Sequence, residues 1–376
     1  MTLFVSPFAK EPPFFRGKTT LTAVLYCNLG TPETPCVTDV RRFLAEFLSD
    51  PRVVEVPRWI WWVILHGIIL RFRPARSAAK YASIWTKAGS PLKVCTEKQA
   101  RLLQDRLTLQ GHHVKVVHAM RYGQNSIGSQ LDALKAEGCT RVLVVPAYPQ
   151  YSATTTGSVL DAVFQWAGQV RRIPELRFVN HYHDDVRYVA ALAERVTQYW
   201  QANGRPDVLV MSFHGLPKRS LELGDPYHSE CHTTARLLAA HLGLGKDQFK
   251  VTFQSRLGRA KWLQPYTEPT LTGMGQAGVK RVDVICPAFT CDCLETLEEI
   301  NLAAREAFLR SGGQEFHYIA CLNDAPAWIT ALADITVQHL QGWPTASSSG
   351  ECGVGSGKQI PLSTEPAPHS SLSTSH

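Results

Sequence analysis

None of the turns that close the apolar segments of this sequence carries a Gly-x-Gly-x-x-Gly fingerprint or a Gly-x-x-x-x-Gly-Lys loop. The usual signals of dinucleotide and nucleoside triphosphate binding are therefore missing. No Gly-x-Ser-x-Gly elbow is present, and Ser158 follows a Thr-Thr-Thr-Gly run, which leaves a serine hydrolase without its nucleophile turn. Basic residues are not gathered into runs interleaved with aromatics. The net charge of +7 is spread out, and the densest basic cluster, Arg58, Arg71, Arg73 and Arg76, brackets an apolar run, so no nucleic-acid surface is expected. The first 18 residues have no sustained apolar region and no small-residue cleavage site, so they are not read as a signal peptide. Ten cysteines without such a leader imply free thiols in a reducing, cytoplasmic compartment. Cys321 and Cys352 stand alone near the C-terminus, and no iron–sulfur cluster is expected. The most apolar stretch, Arg58 to Arg71, falls well short of the roughly 20 residues needed to cross a bilayer.

What is present is an alternation of short apolar runs and segments of helical period. Strands are predicted at Thr22 to Leu29, His113 to Ala119, Arg141 to Val145, Arg177 to Asn180, Asp207 to Met211, Lys250 to Phe253, Arg281 to Cys286 and Phe316 to Ala320. Between them helices are predicted at Val37 to Leu48, Glu97 to Leu109, Ser126 to Ala136, Ser158 to Val170, Val186 to Ala202, Cys231 to His241, Asp292 to Arg310 and Ala325 to Leu340. This pattern implies α/β architecture, with parallel sheets covered on both faces. The chain is long enough for two cores. Two groups of about four strands give two doubly wound domains, 20–175 and 176–342, and no sequence repeat of fixed length relates them. From residue 343 the composition turns to Ser, Gly, Pro and Thr, and 343–376 is read as a disordered tail.

His214 closes a buried apolar strand at the turn Ser212-Phe213-His214-Gly215-Leu216-Pro217. Beyond the carboxyl end of a parallel strand a polar side chain faces the ligand crevice more often than the core. A histidine that only anchors the turn is the alternative. The second informative stretch runs from Cys291 to Ile300. A helix starting near Asp292 brings Glu295 and Glu299 one turn apart on one face, with Asp292 just ahead, as a line of carboxylates. A solvated acidic helix start is the alternative here. An imidazole facing a carboxylate suits divalent iron, and two strong ligands suit a metal that is passed on. Cys291 and Cys293 leave a zinc site open, although a second paired-ligand motif is missing. The segment Trp59 to Leu70, with three tryptophans and flanking arginines, fits either a lipid interface or the wall of an apolar pocket, against the alternative of a buried helix.

Together, Asn28-Leu29-Gly30-Thr31-Pro32, Tyr148-Pro149-Gln150-Tyr151-Ser152 with Thr155-Thr156-Gly157-Ser158, Ser212 to Pro217, Gly224-Asp225-Pro226-Tyr227, Phe253-Gln254-Ser255-Arg256 and Asp292 to Glu299 resemble the ferrochelatase family, in its order and spacing, over about residues 20 to 342. The resemblance implies two Rossmann-like domains with a porphyrin between them. It also implies insertion of Fe²⁺ into protoporphyrin IX with release of two protons, in haem biosynthesis. The family's histidine falls on His214 and its glutamate on Glu295, the expected iron-binding pair, with Glu299 and Asp292 as further acidic positions. Cys293 stands where some members have a second histidine, so a mechanism relying on that imidazole does not apply. The segment at 59–70 matches the family's pocket lip, with possible peripheral membrane contact. Arg73, Tyr81 and Ser90 lie where porphyrin contacts are found in relatives, and Arg121, after its own strand, is another pocket candidate; a structural surface or pocket-wall role is the alternative for all four. No cofactor beyond the substrate iron is expected. A chelatase for coproporphyrin or for cobalt, and a non-catalytic porphyrin or haem carrier, are the competing readings; a carrier has no use for an acidic line beside its histidine.

Overall fold

The structure is a computed structural model that describes residues 8, 11, 21–256, 258 and 260–345. Eight strands build two four-stranded parallel sheets, and each strand overlaps one of the apolar runs read from the sequence. The first sheet holds β1 (Leu21–Gly30), β2 (Lys115–Tyr122), β3 (Cys139–Pro146) and β4 (Glu175–Phe178), in the order β2-β1-β3-β4. The second holds β5 (Val208–His214), β6 (Phe249–Gln254), β7 (Arg281–Ile285) and β8 (Glu315–Tyr318), in the order β6-β5-β7-β8. One topology is thus built twice without a sequence repeat. In each sheet the chain reverses direction across the central strand, β1 or β5, and ligands of such folds gather beyond that strand's carboxyl end.

The period of two in a strand divides the core into layers. Along β1, Ala23, Leu25 and Cys27 face one cluster with α5 (Ile127–Ala136) and α6 (Ser158–Ala167). Val24 and Tyr26 face a larger cluster that also takes Leu209, Met211 and Phe213 of β5. A single apolar layer therefore joins the inner faces of both sheets, while Val208 and Val210 face a separate outer cluster.

The remaining helices are α1 (Val37–Ser49), α2 (Arg58–Ile64), α3 (Leu70–Ile84), α4 (Pro91–Leu109), α7 (Val186–Asn203), α8 (Lys218–Glu222), α9 (Tyr227–His241), α10 (Thr267–Gln276), α11 (Arg305–Arg310) and α12 (Pro326–Leu340). The last, α12, packs against α4 and α7. Its Trp328 is wholly buried, with ring centroids 5.9 Å from Tyr182 and 6.0 Å from Tyr188. Truncation of a buried aromatic of this size costs about 3–5 kcal/mol.

Several expectations need correction. β4 pairs with β3, so the first sheet runs on to Phe178, past the boundary expected at 175. β5 continues through Ser212 and Phe213 to His214, because the buried Ser212 hydroxyl donates to Gln254 Oε1 at 2.7 Å and no longer needs a turn. Of the segments not read as helices, α10 (TEPTLTGMGQ) holds a proline and two glycines, whose low helix propensity masks it. Gly273-Met274-Gly275-Gln276-Ala277-Gly278 has the dinucleotide-fingerprint spacing but lies at the end of that helix and leads into β7, the reverse of a phosphate cradle. Residues 343–345 are pinned: Trp343 donates to Glu175 at 2.6 Å, Arg177 lies 4.1 Å above its ring, and Thr22 donates to the Pro344 carbonyl at 3.0 Å. The rest of the expected tail, 346–376, lies outside the described residues.

Candidate active site

His214 is the last residue of β5 and is paired in register with Gln254 of β6. Its Nδ1 lies 2.7 Å from the Gly215 carbonyl, which can only accept, so Nδ1 carries a proton and Nε2 is the ring nitrogen turned to other work. The turn requires glycine at 215. A Cβ there would meet the Gln254 carbonyl at 2.7 Å, the same oxygen that accepts the Gly215 N–H. The sequence's alternative, a histidine that anchors its turn, is thus half right: one nitrogen does so.

The acidic stretch forms a π helix, Glu295–Ala304, running into α11, where the sequence predicts a plain α-helix. π segments are rare and concentrate at functional sites. Glu295 and Glu299 interact within it. Burial, and then the Glu295 charge, holds the Glu299 carboxyl above the usual carboxylate range, against the opposing hydrogen bond from Ser255 and the charges of His214 and Lys80. Ser255 donates to Glu299 from a backbone with φ of 66°, a left-handed conformation uncommon outside glycine. Gln254 Nε2 donates to the Glu295 carbonyl at 2.8 Å, so the strand beside His214 also fixes the first residue of the π helix.

Asp292 does not extend this line. Its carboxylate accepts from Tyr318, from Thr296 at 3.1 Å and from Asn323 Nδ2 at 2.6 Å, and its N–H donates to Asn323 Oδ1 at 2.9 Å. All of this anchors the approach to the helix, with Asp292 buried ahead of its first turn. Cys291 and Cys293 are buried too, and desolvation pushes both thiols well up, which keeps them protonated and poor as metal ligands.

Of the four expected porphyrin contacts, Tyr81 of α3 lies within reach of the Glu295 charge. Burial first, then the negative Glu295, holds its hydroxyl in the neutral form, and its ring packs edge-on against Phe43 and Trp85. Arg73, half-buried two turns earlier on α3, is near enough for its charge to act on Tyr81. Ser90 is consumed as the buried start of α4, accepting from Thr31 at 2.9 Å. Arg121 is consumed as well. It donates to Asp50 at 2.7 Å and to Ser158 Oγ at 2.7 Å, while Tyr122 and Ser158 donate to the same Asp50 oxygen. Sequence reasoning missed Lys80, which pairs with Glu298 at 2.7 Å and so ties α3 to the π helix. No local signal marks it; only the crossing of the two helices does.

The lip is not buried. α2 and α3, joined by a π turn at Leu65–Ile69, leave Trp59, Trp62, Val63, Ile68 and Phe72 exposed, at 75%, 62%, 60%, 57% and 72%. Leu65 and Leu70 hold the other face in the core, and Trp61 donates to the Leu48 carbonyl at 2.6 Å. Among the described residues, no helix is long and apolar enough to cross a membrane.

The chain is a twice-built doubly wound α/β frame, with an imidazole at the end of one central strand and a carboxylate-bearing π helix tied to the neighbouring strand through Gln254. The comparisons with known proteins name its kind. The ferrochelatase family model matches residues 21–340. Ferrochelatases of Polaromonas sp. and Methylibium petroleiphilum are 66% and 62% identical over 342 and 340 residues, covering 90% of this chain and 93% and 94% of theirs. That of Bordetella pertussis is 52% identical over 91% of this chain and 94% of its own. Among solved structures, CbiX, the terminal enzyme of sirohaem biosynthesis in denitrifying bacteria, covers 84% of the chain at 13% identity and a TM-score of 0.47. The chain belongs to the ferrochelatase family, whose members are enzymes of haem biosynthesis that insert iron into a porphyrin.

Proposed function

We propose that the His214 site exchanges the two pyrrole N–H protons of protoporphyrin IX for Fe²⁺, releasing protohaem and two protons. The observation that carries this reading is the fixed tautomer of His214. With Nδ1–H committed to the Gly215 carbonyl, Nε2 is left to accept a pyrrole proton or to ligate iron, beside the Glu295–Glu299 pair. An imidazole and a carboxylate form a borderline N/O donor set that suits Fe²⁺, and two protein ligands hold it loosely enough for transfer to the macrocycle. Glu299, its carboxyl held above the usual range, takes the proton onward from the imidazole side. One Fe²⁺ enters as two protons leave, so charge is conserved, and no cofactor beyond the substrate iron is used.

Arg73 pairs a propionate, since it, unlike Arg121, has no buried ion pair among the described residues, and Tyr81 offers an apolar ring to the macrocycle. The exposed row Trp59, Trp62, Val63, Ile68 and Phe72, flanked by Arg58, Arg71 and Arg76, rests at the headgroup level of a membrane on the cytoplasmic side, where an insoluble porphyrin is handed over. The test is anaerobic incubation of the purified protein with excess protoporphyrin IX and Fe²⁺. More haem than protein supports the reading; haem or porphyrin held only at one equivalent makes the protein a carrier.

A further inference from the structure

Away from the His214 site, the chain brings together three metal-ligating side chains from both halves of the fold. His181 and His183 follow β4 of the first sheet, and Glu230 lies in the first turn of α9, after β5 of the second. The two imidazole rings are 5.1 Å apart. His181 Nδ1 lies 2.7 Å from Glu230 Oε1, and His183 Nδ1 lies 3.3 Å from Glu230 Oε2. One ligand atom from each residue falls within 4.8 Å of the other two.

Hydrogen bonding accounts for only part of this cluster. Glu230 Oε2 accepts the Tyr151 N–H at 2.7 Å, and Oε1 is satisfied by His181. His183 is 9% exposed, and its Nδ1 is buried and aimed at Glu230 without a hydrogen-bond partner among the described residues. Leaving such a group unmatched costs about 1–3 kcal/mol. A cation that takes the lone pair removes that cost. Tetrahedral bonds of about 2.0–2.1 Å separate ligand atoms by about 3.3 Å, so a small inward shift of groups already within 4.8 Å completes the shell. Two imidazoles and a carboxylate are a donor set for zinc and for non-haem iron, and the Tyr151 N–H orients the carboxylate as an outer partner. The His181 side chain is 51% exposed, which leaves an entry path and an open fourth position for water.

We propose that His181, His183 and Glu230 form a second site for a divalent first-row transition ion, distinct from the His214–Glu295 pair, and that the bound ion staples the two sheets together. The surrounding polar links already cross there. Asp225 accepts from Ser152 at 3.0 Å and from the Ala153 N–H at 2.8 Å, and Gln150 donates to Thr234 of α9 at 2.9 Å.

The test uses the full chain carrying H214A and E295Q, so that the first site does not contribute, with Co²⁺ as the probe. Equilibrium dialysis and visible absorption should report one bound Co²⁺ with the intense bands of a low-coordinate ion, and the ion should raise Tm. Adding His181→Ala, at an exposed position, or Glu230→Gln should weaken binding by at least about tenfold, on the scale of 10–100-fold that loss of even an outer-shell partner gives, and abolish the rise in Tm. The metal-free melting curve of the His181→Ala protein should match that of its parent. No Co²⁺ bound by the parent, or a loss below tenfold in both variants, overturns the proposal.

Discussion

Gln254 donates its side-chain amide to the main-chain carbonyl of Glu295 at 2.8 Å, and Gln254 is also the residue paired in register with His214. One side chain thus sets the spacing between the imidazole and the first carboxylate of the π helix. Gln254 touches neither iron nor porphyrin on this account and acts through position alone. Gln254→Leu should lower kcat by about 10²-fold, the scale of a 1 Å misplacement, with little change in KM for porphyrin. Steady-state kinetics on both substrates checks this, and a change confined to KM would contradict it.

Glu299 should show a trade between stability and activity. Its carboxyl is held high by burial and by Glu295. A raised folded-state value favours folding below the unfolded carboxyl value of about 4.3, and that favour is lost as pH rises through the folded value. At pH 7 the ionised group is therefore a burden on the fold. Glu299→Gln keeps an acceptor for Ser255 and removes the charge, so it should be more stable than the parent at pH 7, converge with it near pH 4, and turn over more slowly. Urea melts at the two pH values, alongside haem formation, read both effects.

Asp50 works in the opposite direction. Burial acts to raise its carboxyl, but hydrogen bonds from Ser158, the Arg52 N–H and Tyr122, with the Arg121 charge, outweigh it and hold the group below the usual range. A lowered value contributes stability that is present above about pH 3.9 and lost as pH falls through the folded value. Asp50→Asn leaves Arg121 without its buried partner and should cost about 3–5 kcal/mol at pH 7. That gap should narrow in denaturant melts as pH falls below about 3.9, where the unfolded chain takes up a proton that the folded group resists.

The lip makes a separable prediction. Trp59, Trp62 and Phe72 are exposed, so changing all three to Ser should leave Tm within a few degrees while reducing sedimentation with anionic liposomes several-fold. Unchanged liposome binding would return the row to a role in the pocket wall alone.

The framework of the fold was readable because short, continuous, β-branched apolar runs bounded by turn residues, such as Val208 to Met211, read as strands buried on both faces. His214, Glu295 and Glu299 could be singled out as candidates because they stand at the end of a buried strand and in the first turns of a helix. The partners of Asp292 and Arg121 were not legible for a single reason. Sequence names a charge but not its partner, and Asn323, Tyr318, Asp50 and Ser158 reach these groups from 26 to 71 residues away. The π helix left no mark either, since residues 295 and 299 share a face in an α-helix as well. Thr96 and Gln99 of α4 show the same limit: buried polar side chains that the helical period treats as outliers, Thr96 accepting from Asn28 of β1 and Gln99 donating to Thr290 and Asn323 of the other half.

The central claim is that His214 Nε2 takes part in exchanging pyrrole protons for iron. Anaerobic haem formation by His214→Ala, measured with porphyrin binding followed in parallel by fluorescence quenching, tests it most directly. Porphyrin affinity should change by less than about threefold while turnover falls by at least the 10²–10⁴-fold typical of removing an acid–base group. Turnover equal to the parent's, with porphyrin bound as before, would contradict it.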